Sequence, residues 1–228
     1  MTVQEAGGRV AAYYAPEADD PLWAAGNAWL GRDPETGAAV PQPSIPGIAA
    51  ITADARAYGF HGTLKPPMRL ATSWAALLAD ATRLAARLAP FELPPLAVAN
   101  LSGFLALRET RHSPALHRFA ESCIEALDTH RGPPSEAELA RRRAHGLSPE
   151  REAMLARWGY PDAFATWRFH MTLSCRLDEA AHERLRTQAE AWFKSALASR
   201  RRVTSLCLFT QRSPDAPFTL VERLKLLG

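Results

Sequence analysis

The chain has 228 residues, 47% hydrophobic and 22% charged, so it can bury a sizeable core and does not have the composition of a disordered protein. Its net charge of +3 is too small to indicate a genomic nucleic-acid binder, although it suits a phosphate-bearing ligand. There is no basic-then-apolar leader and no apolar run of the ~20 residues that span a bilayer. Three cysteines without metal-like spacing are predicted to be buried thiols. We therefore expect a cytoplasmic protein of one domain or two small lobes, without membrane contact.

The first part of the chain predicts a strand, a helix and a long loop. Residues 9–15 read as a strand, and a helix is expected over 21–30 with Asp20 as its N-cap. Residues 31–47 are rich in Gly, Pro and Asp and are predicted to be a loop. A strand at about 58–65 follows.

The next segment alternates between helical and extended patterns. Apolar residues at a spacing of three and four predict a helix over 73–89. Two β-like runs follow at 91–101 and 103–108, the first interrupted by prolines. Ser113 then caps another predicted helix, which has a proline at its first position.

Residues 131–166 differ in character from their surroundings. Ser135 and Glu138 form a capping-box pattern, and Ser148 precedes a second helical start, so a pair of helices is predicted. This pair interrupts two β-rich halves. Three arginines at 141–143 allow two interpretations, a basic lid over a cleft or a solvated helix face, and the second is the simpler.

The second half repeats the order of the first. A strand at about 168–177 is followed by a helix over 179–198, which is expected to bury Trp192 among other apolar residues. Strands at 203–210 and 218–226 complete the pattern. The same order of strand, helix, strand and strand thus occurs twice, without clear sequence identity outside one short motif.

That motif is a histidine and a threonine two residues apart, followed by leucine. It occurs as His-Gly-Thr-Leu at 61–64 and as His-Met-Thr-Leu at 170–173. Because side chains alternate faces along a strand, each histidine and its threonine are expected to point the same way while the neighbouring apolar residues pack on the core. In the first copy Lys65 would share the polar face, and Pro66 would end the strand.

Two such faces fit metal-independent cleavage of a phosphodiester. The attacking water must lose a proton and the leaving oxygen must gain one, and imidazoles can do either near neutral pH. We predict His61 and His170 as the catalytic pair, with His170 as base and His61 as acid, although the roles can exchange. Thr63 and Thr172 are predicted to hold the phosphate oxygens.

Further candidates follow from position alone. Lys65 or Arg168 could contact the substrate, and either could equally be a solvated strand-end cation. Of Tyr13 and Tyr14 only one can face a cleft, and Tyr14 is our candidate, with core packing as the alternative. No histidine outside the motifs has a partner at metal spacing, so no metal and no cofactor are expected.

Three blocks make the chain recognisable: residues 29–33 (Trp-Leu-Gly-Arg-Asp), residues 58–67 (Tyr-Gly-Phe-His-Gly-Thr-Leu-Lys-Pro-Pro) and residues 169–173 (Phe-His-Met-Thr-Leu). The double motif resembles the 2H phosphoesterase superfamily. The wider blocks resemble its uncharacterised branch DUF1045, which has been linked to phosphonate metabolism.

The resemblance implies an α+β fold of two pseudo-symmetric, ferredoxin-like lobes around a central cleft, with the helical insertion added. It implies hydrolysis of a small cyclic phosphate, either a ribosyl 1,2-cyclic or a nucleoside 2′,3′-cyclic phosphate. The alternative is a non-catalytic nucleotide or RNA binder that keeps the fold, but basic strips with interleaved aromatics, which would support it, are absent. No stable nucleic-acid complex is expected, and the oligomeric state cannot be read.

Overall fold

The structure is a computed structural model that describes residues 8–144 and 146–228. Helices and strands follow one another in this order: β1 (Arg9–Tyr14), α1 (Pro21–Leu30), α2 (Ile48–Ile51), α3 (Ala53–Tyr58), β2 (Gly62–Met68), α4 (Trp74–Arg87), β3 (Phe91–Glu92), β4 (Leu96–Leu101), β5 (Phe104–Glu109), α5 (Pro114–Leu127), α6 (Glu136–Arg143), α7 (Pro149–Trp158), β6 (Met171–Arg176), α8 (Glu179–Ala198), β7 (Arg202–Val203), β8 (Ser205–Gln211) and β9 (Thr219–Lys225). Two short 3-10 helices cover Asp128–His130 and Phe164–Thr166.

Two antiparallel sheets carry the two motifs. The first has the order β2-β1-β8-β9, and the second has the order β4-β5-β6, while β3 and β7 form a separate pair. Helices α4 and α5 contact the first sheet, and α8 contacts the second. Separate helices on antiparallel sheets define an α+β architecture. The predicted fold class is confirmed.

The sheets do not follow the two halves of the sequence. Arg9 in β1 pairs with Gln211 in β8, so the last two strands of the chain join the sheet of the first motif. The second sheet is built from three strands in the middle of the chain. The repeated order of elements therefore does not give one sheet from each half, because alternation predicts a strand but not its partner.

The helical termini follow the sequence closely. Asp20 accepts a hydrogen bond from the backbone of Leu22 at 2.8 Å, and the capping box of Ser135 and Glu138 is formed in full. The inserted helices α6 and α7 confirm the predicted helical pair. They contribute little to the core, since α6 buries no residue and α7 buries only Leu155.

Aromatic residues fill the core between α1, α8 and the second sheet. Trp29 is fully buried, and its indole Nε1 donates to the Leu173 carbonyl at 2.8 Å. The Trp29 ring lies 5.5 Å from that of Phe193, which in turn stacks on Phe60. Helix α1 is thereby hydrogen-bonded to β6, the strand of the second motif.

Both motif strands begin later than predicted. Instead of 58–65, β2 covers Gly62–Met68, because Tyr58 ends α3 and Gly59 takes a positive φ of 79° before the strand. Pro66 does not end β2, which is an edge strand where a missing N–H is tolerated. Similarly, β6 covers Met171–Arg176 rather than 168–177, so each histidine comes directly before its strand.

Two smaller expectations were wrong. Trp192 was expected in the core, but it is 38% exposed and its Nε1 donates to the Ala25 carbonyl. Cys175 is only half-buried, whereas Cys123 and Cys207 are buried. The interruption predicted within 91–101 is confirmed: the run is divided into β3 and β4, since the two prolines between them cannot donate to a ladder.

Among the helices that the structure describes, none combines the length and the apolar character that crossing a membrane requires.

Candidate functional site

The turn before β2 fixes the ring of His61. Its Nδ1 lies 2.9 Å from the Gly59 carbonyl oxygen, which can only accept, so Nδ1 carries the proton of the neutral ring. The lone pair is therefore on Nε2, which accepts from the Thr63 hydroxyl at 3.2 Å. The histidine and the threonine of the first motif share one face, as alternation predicted.

The second motif repeats this geometry. His170 Nδ1 lies 2.9 Å from the carbonyl oxygen of Arg168, again two residues earlier. The same reasoning places its proton on Nδ1 and its lone pair on Nε2. Each histidine is thus held by the backbone in the tautomer that leaves Nε2 free to exchange a proton.

One cleft brings the two motifs together. A cavity of about 580 Å³ is lined by Thr63 from the first motif and His170 from the second, together with Phe104, Tyr160 and Arg176. This volume is typical of a site for a small ligand.

Close contacts lock the two strands beside this cavity. The Trp167 indole Nε1 donates to the Thr63 carbonyl at 3.0 Å. A Cβ atom on Gly62 would lie 2.5 Å from the ring of Phe169, so only glycine allows the strands to approach this closely. The glycine of the first motif is therefore explained by packing.

The ring of His61 is half-buried and stacks on an aromatic side chain. Tyr13 stacks on it with ring centroids 3.7 Å apart and planes 19° from parallel. Burial lowers the pKa of His61 to about 4, partly opposed by the bond to Gly59, and the charge of His170 lowers it further. His61 is therefore uncharged in the free protein at neutral pH.

His170 has a more open environment. Its ring is on the cavity wall, with the edge of Phe104 at a centroid distance of 6.0 Å. Burial is the main cause that lowers its pKa, the nearby charge of Arg108 lowers it further, and the Arg168 carbonyl and Asp162 act in the opposite direction.

Lys65 does not share the face of Thr63. A register shift between Ala12 and Tyr13 interrupts the alternation of β2 at this point. The ammonium group donates to the carboxylate of Asp128 at 2.9 Å and to the Ile124 carbonyl at 3.1 Å. Burial lowers the pKa of Lys65, and Asp128 partly restores it, so this pair serves packing between β2 and α5.

The other two candidates from the sequence, Tyr14 and Arg168, lie in different environments. Tyr14 is only 2% exposed and its ring lies 6.0 Å from that of Phe169, which places it in the core rather than at the cleft. Arg168 does line the cavity, where its guanidinium donates to the carbonyls of Ala165 and Trp167.

Two residues that contact the rings of the motif histidines were not chosen from the sequence. Tyr13, not Tyr14, is on the face of the first motif, since β1 pairs Tyr13 with Thr63. Phe104 reaches His170 from the neighbouring strand β5. Both positions depend on strand pairing, and no local signal could have revealed either.

The structure also forms one cluster of metal-binding side chains that spacing did not suggest. Ligand atoms of Glu109, His112 and His117 lie within 4.8 Å of one another at the start of α5. His117 Nε2 is 3.1 Å from a Glu109 carboxylate oxygen, so the pair is bonded directly. These ligand types suit Zn²⁺.

The sequence matches a family model described as protein of unknown function (DUF1045) over residues 63–219. Two curated relatives are both named ribose 1,5-bisphosphate phosphokinase PhnN. The protein of Janthinobacterium sp. (strain Marseille) is 37% identical over 231 residues, and that of Laribacter hongkongensis (strain HLHK9) is 38% identical over 225. Each alignment covers 96% of this chain but 51% and 52% of the relatives, so the chain spans about half their length.

Some solved structures are distantly similar to this chain. One titled a phosphoesterase is 14% identical with a TM-score of 0.46, covering 97% of this chain and 99% of its own. E. coli LigT complexed with NADP+ is 15% identical (TM-score 0.47, 98% and 100% covered), and LigT complexed with 3′-AMP is 16% identical (TM-score 0.48, 96% and 98% covered). Likenesses this distant assign no activity to the chain.

Proposed function

Since this chain belongs to the DUF1045 family, whose function is unknown, its activity must be argued from the site. We propose that it is a 2H-type phosphodiesterase that hydrolyses a small cyclic phosphate by acid–base catalysis with two histidines and without a metal. One observation carries the proposal. Two His-x-Thr motifs far apart in sequence meet at one cavity, which is lined by Thr63 of the first motif and His170 of the second, and each histidine has its Nδ1 bonded to the carbonyl two residues earlier.

The reaction is an in-line displacement at phosphorus. A water molecule attacks, one Nε2 takes its proton, and the other Nε2 donates a proton to the ring oxygen as the P–O bond breaks. The product is a phosphomonoester with a free hydroxyl. On substrate binding the Thr63 hydroxyl turns its single proton from His61 Nε2 to a non-bridging oxygen, and Thr172 donates to the other as charge develops there.

The surroundings of the two histidines favour a definite division of roles. His61, whose pKa burial lowers to about 4, is neutral and suits the base, while His170 lines the open cavity, where a bound phosphate can favour its charged form, and suits the acid. This reverses the assignment preferred from sequence. Binding of an anionic phosphate beside His170 raises the pKa of the imidazole, so that His170 takes up from solvent the proton that it later donates to the leaving oxygen.

A phosphorylated ribose is the substrate class that we favour. The curated relatives are named for ribose 1,5-bisphosphate, although the name belongs to proteins twice as long. The cavity places Arg151, Arg168 and Arg176 on its wall, where a second phosphate could bind. A ribosyl 1,2-cyclic phosphate that carries a second phosphate on its 5-oxygen meets both conditions, and a nucleoside 2′,3′-cyclic phosphate is the competing substrate.

The test is turnover of both classes of cyclic phosphate by the purified chain in excess EDTA, compared with the His61→Ala and His170→Ala variants. We expect hydrolysis by the wild type and none above background by either variant. Wild-type turnover that EDTA abolishes would point to a metal, with the cluster at Glu109 as the first candidate. Phosphorylation of ribose 1,5-bisphosphate from ATP, without diester cleavage, would replace the proposal by a kinase.

A further inference from the structure

Arg108, near the end of β5, lies beside the second motif. In the pairing of β5 with β6, Ala106 is opposite Thr172 and Leu107 is opposite Met171. The next pair in this antiparallel register brings Arg108 alongside His170. Residues that are 62 positions apart in the chain thus become neighbours in the second sheet.

Arg108 does not line the cavity itself, but strand alternation places its side chain on the side of β5 that lies opposite Thr172. Side chains directly opposite each other in an antiparallel pair share a face, so Ala106 is on the face of Thr172, and Arg108 two residues later is on it too. Phe104, on the same side of β5, contacts the ring of His170. The intervening residues Leu105 and Leu107 point into the core.

The guanidinium of Arg108 has no partner in the part of the chain that the structure describes. Its Nε is buried and makes no hydrogen bond, and no carboxylate lies within ion-pair distance. The buried cations Lys65 and Arg201, in contrast, are paired with Asp128 and Asp20. A buried N–H of a charged group costs free energy unless something hydrogen-bonds to it, and here that partner has to come from outside the chain.

We propose that Arg108 binds the non-bridging oxygens of the phosphoryl group that reacts at His170. This rests on the proposed function and adds to it a cationic residue that neither histidine nor threonine supplies. The planar guanidinium can donate two parallel hydrogen bonds to one phosphate, which fixes its orientation toward the histidine. The phosphate in turn satisfies the buried Nε.

A phosphate-binding Arg108 and a purely structural one predict opposite effects on stability. Arg108 is half-buried, and removing its unpartnered, buried Nε relieves the empty protein of a desolvation cost, whereas removing a structural contact destabilises it. We would compare Arg108→Met and Arg108→Lys with the wild type. Arg111→Met is the matched control, because Arg111 is exposed three residues further on.

The first measurement is binding of inorganic phosphate by calorimetry, together with the Tm in its absence and presence. For Arg108→Met we expect binding weaker by at least about tenfold, an unchanged or higher Tm without phosphate, and a smaller rise of the Tm with it. Arg108→Lys keeps the charge without the two-pronged geometry and should bind with intermediate strength. Arg111→Met should match the wild type throughout.

The second measurement is the kinetics on whichever cyclic phosphate the wild type hydrolyses, where Arg108→Met should lower kcat/KM by about tenfold to a hundredfold. Phosphate affinity equal to the wild type, or a Tm lowered without loss of phosphate binding, would overturn the role of Arg108. If Arg108→Met does not fold, wild-type affinity in Arg108→Lys has the same meaning. If the wild type hydrolyses no cyclic phosphate, the proposed function fails, and the calorimetry still decides whether Arg108 binds phosphate.

Discussion

The two motif regions have the same backbone design in different surroundings. In both, the backbone two residues before the histidine accepts from Nδ1 at 2.9 Å. In the first region Tyr13 covers the imidazole and Thr63 bonds to its Nε2. In the second the imidazole is on the wall of an open cavity beside a cationic residue.

This difference teaches how one repeated motif can supply two opposite functions. The shared bond to the backbone sets the tautomer, which both a base and an acid need. The surroundings then set the pKa, because burial under an aromatic ring disfavours a charge on His61 more than the cavity wall disfavours it on His170. Equivalent residues are therefore expected to respond differently to the same substitution.

The largest expected effect is the loss of either histidine. His61→Ala and His170→Ala should each lower kcat by about a thousandfold, since each removes one half of the proton transfer. Steady-state rates in EDTA measure the loss, and circular dichroism checks the fold. A variant that keeps more than a tenth of the rate would remove its histidine from the mechanism.

The division of roles is tested with a diester that has p-nitrophenolate as its leaving group. This group departs without a proton, so the acid becomes dispensable while the base does not. We expect His170→Ala to recover about a hundredfold relative to its loss on the cyclic substrate, and His61→Ala to recover little. Recovery by His61→Ala instead would restore the assignment first made from sequence.

The pH profile tests the role of Tyr13. Activity should fall at low pH as the base His61 takes up a proton near pH 4, and at high pH as the acid His170 loses its proton. Tyr13→Leu admits water to His61, so its pKa rises and the acidic limb of kcat/KM moves to higher pH.

Phe104→Leu is the matched variant at the other histidine. This variant should move the basic limb of the pH profile of kcat/KM and leave its acidic limb in place. An acidic limb in Tyr13→Leu that coincides with the wild type would show that stacking does not control the pKa of His61. Titration of the histidine ring protons by NMR gives the same comparison without turnover.

The threonines should have smaller and unequal effects. Thr172→Val removes one donor to the phosphate and should cost about tenfold in kcat/KM. Thr63→Val should cost more, because the same hydroxyl also bonds to His61 Nε2. Serine at either position keeps the hydroxyl and should restore most of the rate. Equal losses at both sites would contradict the asymmetry described above.

The helical insertion should have the smallest effect on chemistry. Arg131 touches Gly159, so residues 133–157 can be replaced by a short Gly-Ser linker that keeps Tyr160 at the cavity. Little core is lost, since only Leu155 is buried in these helices. We expect KM to rise several-fold with kcat nearly unchanged. A loss confined to kcat would exclude a role as a lid.

Local features of the fold could be read from the sequence, and pairings could not. The capping residues Asp20, Ser113, Ser135 and Ser148 all stand where a helix begins, because a cap acts within one turn. Likewise His61 shares a face with Thr63, two residues further on, as strand alternation predicts.

The predicted positions were wrong where the placement of a residue depends on pairing with a strand that is distant in the sequence. The register shift opposite Ala12 turned Lys65 toward α5, and pairing with β2 selected Tyr13 over Tyr14. Arg108 was not predicted as a site residue, because it lies beside His170 only through the pairing of β5 with β6. Pro66 lies within a strand since β2 is at an edge, a position that no local pattern encodes.

The pairing of Arg9 with Gln211 has a consequence for biosynthesis. A sheet that joins the two ends of a chain has a high contact order and folds slowly, since the intervening segment must be ordered first. During translation β1 cannot pair with β8 until β8 has been synthesised, and both motifs are synthesised before β8. A product that terminates before residue 205 would contain every catalytic residue proposed for this site, and one whole edge of β1 would stay open to aggregation.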